Sequence, residues 1–120
     1  MDRLIDSLLA LSPQVRYVAV LHGKELQLRE RPGLAGASAS ETDRYEELLV
    51  NPAVLTLLRR RGEIDCGGLD HVWIRYGNFW TGLFPTDGGH VNVGLEPDAV
   101  PTELDARIRG VVERIAVAAR

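Results

Sequence analysis

Hydrophobic positions change their spacing several times along the chain, and each change marks the end of a predicted element. The first segment, "MDRLIDSLLALSP", spaces its apolar residues three and four apart and ends at Pro13, which predicts a short amphipathic helix. Residues 15–30 alternate apolar and polar positions on both sides of a turn at His22-Gly23-Lys24, a pattern typical of a β-hairpin. Residues 31–40, "RPGLAGASAS", have no period and predict a mobile surface loop.

The middle of the chain returns to a helical period. Residues 41–61 predict a helix that is capped near Ser40 or Thr42. Pro52 lies inside this stretch, and proline lacks the N–H that a helix interior requires. We therefore expect two helical pieces with a bend at Asn51-Pro52, followed by a helix end at Gly62.

The aromatic residues concentrate in residues 71–85, "HVWIRYGNFWTGLFP". Apolar residues alternate on both sides of Gly77-Asn78, which predicts a second hairpin, and residues 90–96 continue the alternation as a further strand. The chain then predicts a closing helix that starts at Pro101-Thr102. Its apolar face consists of Leu104, Ile108, Val111, Val112 and Ile115.

The predicted order is helix, two strands, helix, three strands, helix. Strands joined mostly by short turns favour one antiparallel sheet, and amphipathic helices need an apolar surface to cover. The predicted fold is therefore α/β, a three-layer α-β-β-α-β-β-β-α sandwich with a five-stranded antiparallel sheet and helices on both faces. In such a sandwich the aromatic hairpin is structural first, because both faces of the sheet are covered.

Composition narrows the class of protein. A chain of 120 residues, with 45% hydrophobic and 26% charged residues, predicts a single domain spanning residues 1–120. A net charge of −3 argues against a nucleic-acid partner. The sequence shows no secretory signal and no apolar run long enough to span a membrane, which indicates a cytoplasmic protein.

Candidate catalytic chemistry is sparse. His22, His71, His90 and Cys66 lack the short spacings of metal ligands. Cys66 has no identifiable base or oxyanion site, so it reads as an inert packed thiol. The glycine clusters lack the spacing and the lysine of a phosphate-binding loop. We predict no catalytic residue, no cofactor and no metal.

The whole order of elements, ending in "LDHVWIRYGNFWTGLFPTDGGHVNVGLEPDAVPTELDARIRGVVERI", resembles the roadblock family of dynein light chains and bacterial GTPase regulators. The resemblance runs from about Leu4 to Ile115 and is one of pattern, because the family has no catalytic signature. It implies a non-enzymatic protein that forms dimers edge to edge beside the central helices. It also implies a platform for Ras-like small GTPases or for larger signalling or motility complexes. Pro52 and the aromatic strands depart from the family's pattern.

The resemblance implies that the first strand of the aromatic hairpin lies at a sheet edge. An edge strand leaves backbone groups unpaired unless another chain covers them, so we expect a homodimer. The predicted interface has a strand part and a helix part; the same apolar residues could instead be internal core. Its residues are Val72, Trp73, Ile74 and Arg75 of the strand, and Leu49, Leu55, Leu58 and Arg59 of the helix.

Two further expectations concern mechanism. A regulator without catalytic residues would act on a GTPase by holding its switch segments in one conformation, although Arg59, Arg60, Arg61 or Arg75 could be supplied to the partner's active site.

The alternative function is a small-molecule sensing or binding module. Its pocket would lie between a helix and the sheet, lined by Tyr17, Trp80 and Asn92.

Overall fold

A computed structural model of the chain describes residues 1–32 and 40–118. Most of the loop predicted over residues 31–40 lies outside them. In the described residues no helix is long and apolar enough to cross a membrane. The elements are α1 (Asp2–Leu9), β1 (Val15–His22), β2 (Glu25–Glu30), α2 (Ser40–Tyr45), a π-helical turn (Glu46–Val50), α3 (Asn51–Asp65), β3 (Val72–Arg75), β4 (Trp80–Thr86), β5 (Gly89–Leu95), a 3₁₀ turn (Pro101–Glu103) and α4 (Asp105–Ala118).

The five strands form one antiparallel sheet in the order β2-β1-β5-β4-β3. The strands β2 and β3 are its two edges, so the helical segment between them crosses the sheet from one edge to the other. We call this segment, formed by α2, the π-helical turn and α3, the middle helix. The edge position of β3 and the three-layer arrangement confirm the predicted fold.

The first face of the sheet carries the apolar core. Alternate residues of β1, β4 and β5, such as Val18, Phe84 and Val93, lie on this face because side chains along a strand point to opposite sides. Helices α1 and α4 cover it with their apolar stripes. The helical residues in the core include Leu4, Ile5, Leu8, Leu104, Ile108, Val111 and Val112, and Ile115 packs at its margin.

The middle helix covers the second face, and Pro52 does not interrupt it. The backbone is helical at both Val50 and Asn51, with φ of −71° and −65°. The N–H of Asn51 donates to the carbonyl oxygen of Glu46, five residues earlier, which widens the helix by one residue before the proline. A π-helical turn therefore stands where we predicted a bend between two helical pieces, and it accommodates the missing N–H of Pro52.

The middle helix also ends later than predicted. It continues through Gly62 to Asp65, and Gly67 and Gly68 then take positive φ values of 81° and 90°. The chain folds back so closely that the N–H of Gly68 donates to the carbonyl oxygen of Gly62 at 3.0 Å. A Cβ on Gly62 would lie 3.1 Å from the backbone of Gly68, so this glycine permits a close approach rather than ending the helix.

Candidate interaction surface

The solvent side of the middle helix carries an apolar ridge. Tyr45, Leu49, Ala53, Leu57 and Ile64 recur at intervals of four or seven residues and are all exposed, with Leu57 68% and Ile64 75% exposed. Residues at these intervals share one face of a helix. We call this set the outer ridge. A row of exposed apolar side chains is unusual on the surface of a monomer, and it is typical of an interaction site.

The inner side of the same helix is partly polar. Among the residues that face the sheet, Glu47 and Asn51 are buried together with Leu55. An ordinary surface helix places its apolar side inward and its polar side outward. The middle helix departs from this rule on both sides, because apolar surface is left outside and a carboxylate is buried inside.

The middle helix leads into β3, which is an edge strand of the sheet. It pairs with β4, and among the described residues it has no second neighbour in the sheet. Val72 and Ile74 are opposite Leu83 and Thr81, which places them on the face of the sheet that the middle helix covers. Both side chains are half-buried. Unpaired backbone groups of an edge strand can accept another strand.

The structure separates the residues that the sequence predicted as an interface. Leu49, Leu58, Arg59 and Arg75 are exposed, and Leu49 is part of the outer ridge. Leu55 is only 4% exposed, because it lies four residues after Asn51 on the inner side of the helix. It is therefore a core residue of the chain itself.

Trp73 also lies away from the outer ridge. It is directly opposite Gly82, and it packs edge-on against Phe84 with ring centroids 5.9 Å apart on the first face of the sheet. The guanidinium of Arg75 lies 5.5 Å above the ring of Trp80 on that face. Trp73, Trp80 and Phe84 thus extend the core toward the sheet edge, as the structural interpretation of this segment predicted, whereas Tyr76 is exposed.

Four members of the outer ridge, Tyr45, Ala53, Leu57 and Ile64, were not predicted as interface residues. Their spacing of four and seven residues was the available signal. Spacing alone does not tell which of two apolar sides meets the sheet, so only the fold separates the outer ridge from the inner residues.

A buried polar network fixes the middle helix to the sheet. Glu47, which is 1% exposed, accepts hydrogen bonds on both carboxylate oxygens. The Tyr17 hydroxyl donates to Oε2 at 2.8 Å and the Asn92 amide donates to it at 2.7 Å. The Asn51 amide donates to Oε1 at 2.8 Å, and Nε2 of His90 lies 2.8 Å from the same oxygen. These partners come from β1, β5 and the middle helix itself.

The network determines the charge states of Glu47 and Tyr17. Burial would raise the pKa of Glu47, but the hydrogen bonds from His90, Tyr17, Asn51 and Asn92 together hold it below its ordinary value. Burial, followed by the charge of Glu47, raises the pKa of Tyr17 far above its ordinary value. Glu47 is therefore an acceptor of hydrogen bonds and Tyr17 a donor at neutral pH.

The residues considered for metal binding do not converge. His90 lies on β5 and His71 directly precedes β3, and β4 lies between these two strands. Across residues 1–32 and 40–118 no group of three or more His, Cys, Asp or Glu side chains is arranged to hold a metal ion. Cys66 is exposed rather than packed, which corrects the expectation of a buried thiol.

Two of the three residues predicted to line a small-molecule pocket line a cavity in the structure. Tyr17 and Asn92 lie on the second face of the sheet and line a cavity under the middle helix. Trp80 is opposite Leu95 on the first face, so it belongs to the core and not to this cavity.

The fold and surface together define a class of protein, a three-layer α/β sandwich with an apolar helix ridge and, within the described residues, an edge strand β3 that pairs on one side only. Solved structures of roadblock proteins share its fold. The roadblock/LC7 domain from Streptomyces avermitilis matches 99% of this chain and 97% of its own length, with a TM-score of 0.73 and 14% identity. The gliding protein MglB from Thermus thermophilus matches 98% of this chain and 88% of its own length, with a TM-score of 0.68 and 13% identity.

A structure of MglB with a tetrameric arrangement matches 99% of this chain and 89% of its own length, with a TM-score of 0.69 and 14% identity. No protein-family model and no curated protein matches the sequence. At these identities the likeness concerns the fold alone. The chain has the roadblock fold, as the order of its elements predicted.

Proposed function

We propose that residues 1–120 form a single roadblock-like domain that acts in the cytoplasm as a homodimeric, non-enzymatic adaptor or regulator. Its partner is a Ras-like small GTPase or a larger signalling or motility complex. The observation that carries the proposal is the outer ridge, which leaves apolar side chains exposed on the helix that leads into the edge strand β3. The resemblance of the sequence to the roadblock family supplies the class of partner.

A symmetric dimer explains both features at once. In an isologous interface the same surface of each copy meets its counterpart. Pairing β3 with β3 of a second copy would satisfy the backbone groups of the edge and bring the two middle helices side by side. Leu49 and Leu57 of the outer ridge would then be buried, and burial of apolar side chains supplies the main driving force for association.

Regulation of a GTPase would consist of holding its switch segments. Arg59, Arg60, Arg61 and Arg75 are exposed and could reach a partner. Arg61 is already paired with Asp65 at 2.6 Å, and Arg75 packs over Trp80. These contacts favour structural roles for the two side chains, so stabilising one switch conformation is the function we assign.

The homodimer is tested by light scattering on the wild type and on Leu57→Asp. We expect about twice the 13.2 kDa chain mass for the wild type and the single chain mass for Leu57→Asp, because a charge in the ridge opposes pairing of two such surfaces. Val100→Asp is the matched control, since Val100 is also exposed but lies outside the middle helix. A monomeric wild type, or a fully dimeric Leu57→Asp, would refute this interface.

Regulation is tested with a purified Ras-like GTPase by measuring its binding in each nucleotide state and its release of phosphate. We expect binding that depends on the nucleotide and survives replacement of Arg59 or Arg75 by alanine. A loss of stimulated hydrolysis by orders of magnitude with intact binding would instead indicate an arginine supplied to the partner's active site. Absence of binding in both nucleotide states would remove that GTPase as the partner.

A further inference from the structure

A small polar cavity lies between the middle helix and the second face of the sheet. Its volume is about 80 Å³. Three carboxylates, those of Glu30, Asp43 and Glu46, line it, together with Arg16 as a cation. Arg16 is engaged elsewhere, since its guanidinium lies 3.5 Å from the carboxylate of Glu96 and over the ring of Phe79. The lining therefore carries more carboxyl groups than cations.

Two deeply buried side chains in the lining have unused acceptors. Thr81 is 1% and Asn92 is 2% exposed, and neither Oγ1 of Thr81 nor Oδ1 of Asn92 has a hydrogen-bond partner in the described part of the chain. Oε1 of Glu46 is a third such atom. Buried polar atoms are rarely left without partners, because each one loses its hydrogen bonds to water on folding.

The orientation of Asn92 is fixed by its neighbour. Its amide nitrogen donates to Glu47 at 2.7 Å, and a carboxylate can only accept. The amide oxygen of Asn92 must therefore be the atom that remains available. The amide oxygen of Asn92 can only accept, and the hydroxyl of Thr81 and the carboxyl of Glu46 can both accept, so a group that donates several hydrogen bonds can complete this site.

The floor of the cavity is kept open by Gly94. This residue is opposite both Tyr17 and Thr81 in the sheet, on the face that the middle helix covers. A Cβ on Gly94 would lie 3.1 Å from the Cβ of Tyr17, so any other residue would crowd the floor. The space above these strands therefore exists because position 94 is a glycine, and not because the neighbouring side chains pack loosely.

The electrostatics favour a positive ligand. Burial, followed by the charges of Glu47 and Asp43, raises the pKa of Glu46 to about 7. Negative charges that are close together in a partly buried site repel one another, and a cation placed among them relieves that repulsion.

We propose that this cavity binds a primary ammonium group, carried by a free amine or by a lysine side chain of a partner protein. An ammonium group donates three hydrogen bonds, which matches the unused oxygens of Glu46, Thr81 and Asn92. A volume of about 80 Å³ is large enough for an ammonium group, since on the same measure one water molecule needs roughly 10–15 Å³. The site shares no residue with the outer ridge and does not depend on the proposed dimer.

Calorimetric titration of the wild-type protein with n-propylammonium chloride tests the site. We expect saturable binding of one ion per chain, with a dissociation constant in the millimolar range for so small a ligand. Thr81→Val removes an acceptor while keeping the shape of the side chain, and Glu46→Gln removes a charge when the titration is done above the raised pKa of Glu46. Each should weaken binding about tenfold or more, as expected for one hydrogen bond to a charged group. Glu63→Gln, an exposed carboxylate on α3, is the matched control and should bind as the wild type does.

Further ligands define the chemistry and the source. Tetramethylammonium has the charge but no N–H, and it should not bind. Tighter binding of putrescine than of Nα-acetyl-lysine amide assigns the site to free amines, and the reverse assigns it to a partner's lysine. Absence of saturation, equal binding of tetramethylammonium or Mg²⁺, or unchanged binding by both folded variants would overturn the proposal. Circular dichroism establishes the folding of each variant, and either one suffices for the comparison.

Discussion

Glu47→Ala tests whether the buried network holds the middle helix in place. The substitution removes an acceptor that receives four hydrogen bonds, at distances between 2.7 and 2.8 Å. Four buried donors would then lose their partner, and each unsatisfied donor costs about 1–3 kcal/mol. Side-chain relaxation and entry of water recover part of that cost. We expect a net loss of about 3–5 kcal/mol in the free energy of unfolding after that recovery.

Urea denaturation followed by circular dichroism measures this loss. With a denaturant dependence of about 1–3 kcal/mol per molar urea, the midpoint should fall by roughly 2 M. Tyr17→Phe removes a single donor and should cost about 1.5–3 kcal/mol, because its hydrogen bond is to a charged group. Glu63→Ala, at an exposed position of the same helix, should change stability by less than about 0.5 kcal/mol. A loss below about 1 kcal/mol in Glu47→Ala would show that the network does not secure the helix.

Three other substitutions probe separate features. Because the folded-state pKa of Glu46 is raised to about 7 from an ordinary 4.5, thermal stability should fall as pH rises through that range. The difference between the wild type and Glu46→Gln across this pH range isolates the effect, and parallel curves would contradict it. Gly82→Ala places a Cβ in steric overlap with Cζ3 of Trp73 and should lower stability in thermal unfolding by about 1–3 kcal/mol; an unchanged midpoint would show that the ring moves freely. Trp73→Ala should lower the unfolding midpoint equally at every protein concentration, whereas a loss that varies with concentration would place Trp73 in the dimer interface.

The sheet was the most predictable part of the fold. Alternation of apolar and polar residues identified all five strands, and it also placed Trp73 and Val72 on opposite faces. The prediction succeeds because side chains along a strand alternate between the two faces of the sheet, so the face of each residue follows from its position in the strand. The covering of both faces then followed from the number of amphipathic helices.

The middle helix was less predictable. Its apolar residues lie on two sides, so the helical period could not distinguish Leu55, which faces the sheet, from Leu57, which faces solvent. The π-helical turn before Pro52 rotates the later residues relative to the earlier ones, and a proline in a sequence indicates a break as readily as it indicates such a turn. The helix end was misplaced because Gly62 is needed for a close backbone approach that only the folded chain creates.

The buried network was beyond prediction from spacing. Glu47 belongs to an acidic stretch whose position near a helix start explains its charge locally. The partners that justify its burial, His90 and Asn92, are 43 and 45 residues further along the chain. Burial of a carboxylate against a sheet is unfavourable unless donors on the strands form hydrogen bonds with it, and those strands are known only from the fold.

The buried polar network on the inner side of the middle helix fixes the position of the outer ridge on its other side. Apolar packing is not directional, so a helix held only by leucines can rotate or slide at a small cost. Hydrogen bonds are directional, and the contacts of Glu47 with β1 and β5 therefore fix both the rotation and the height of the helix. Because the outer ridge lies opposite Glu47 on the same helix, that fixed rotation also determines where Leu49 and Leu57 stand relative to the edge of β3. A symmetric interface requires such a constant relation between its helix and strand parts, since each copy must present the same surface to the other.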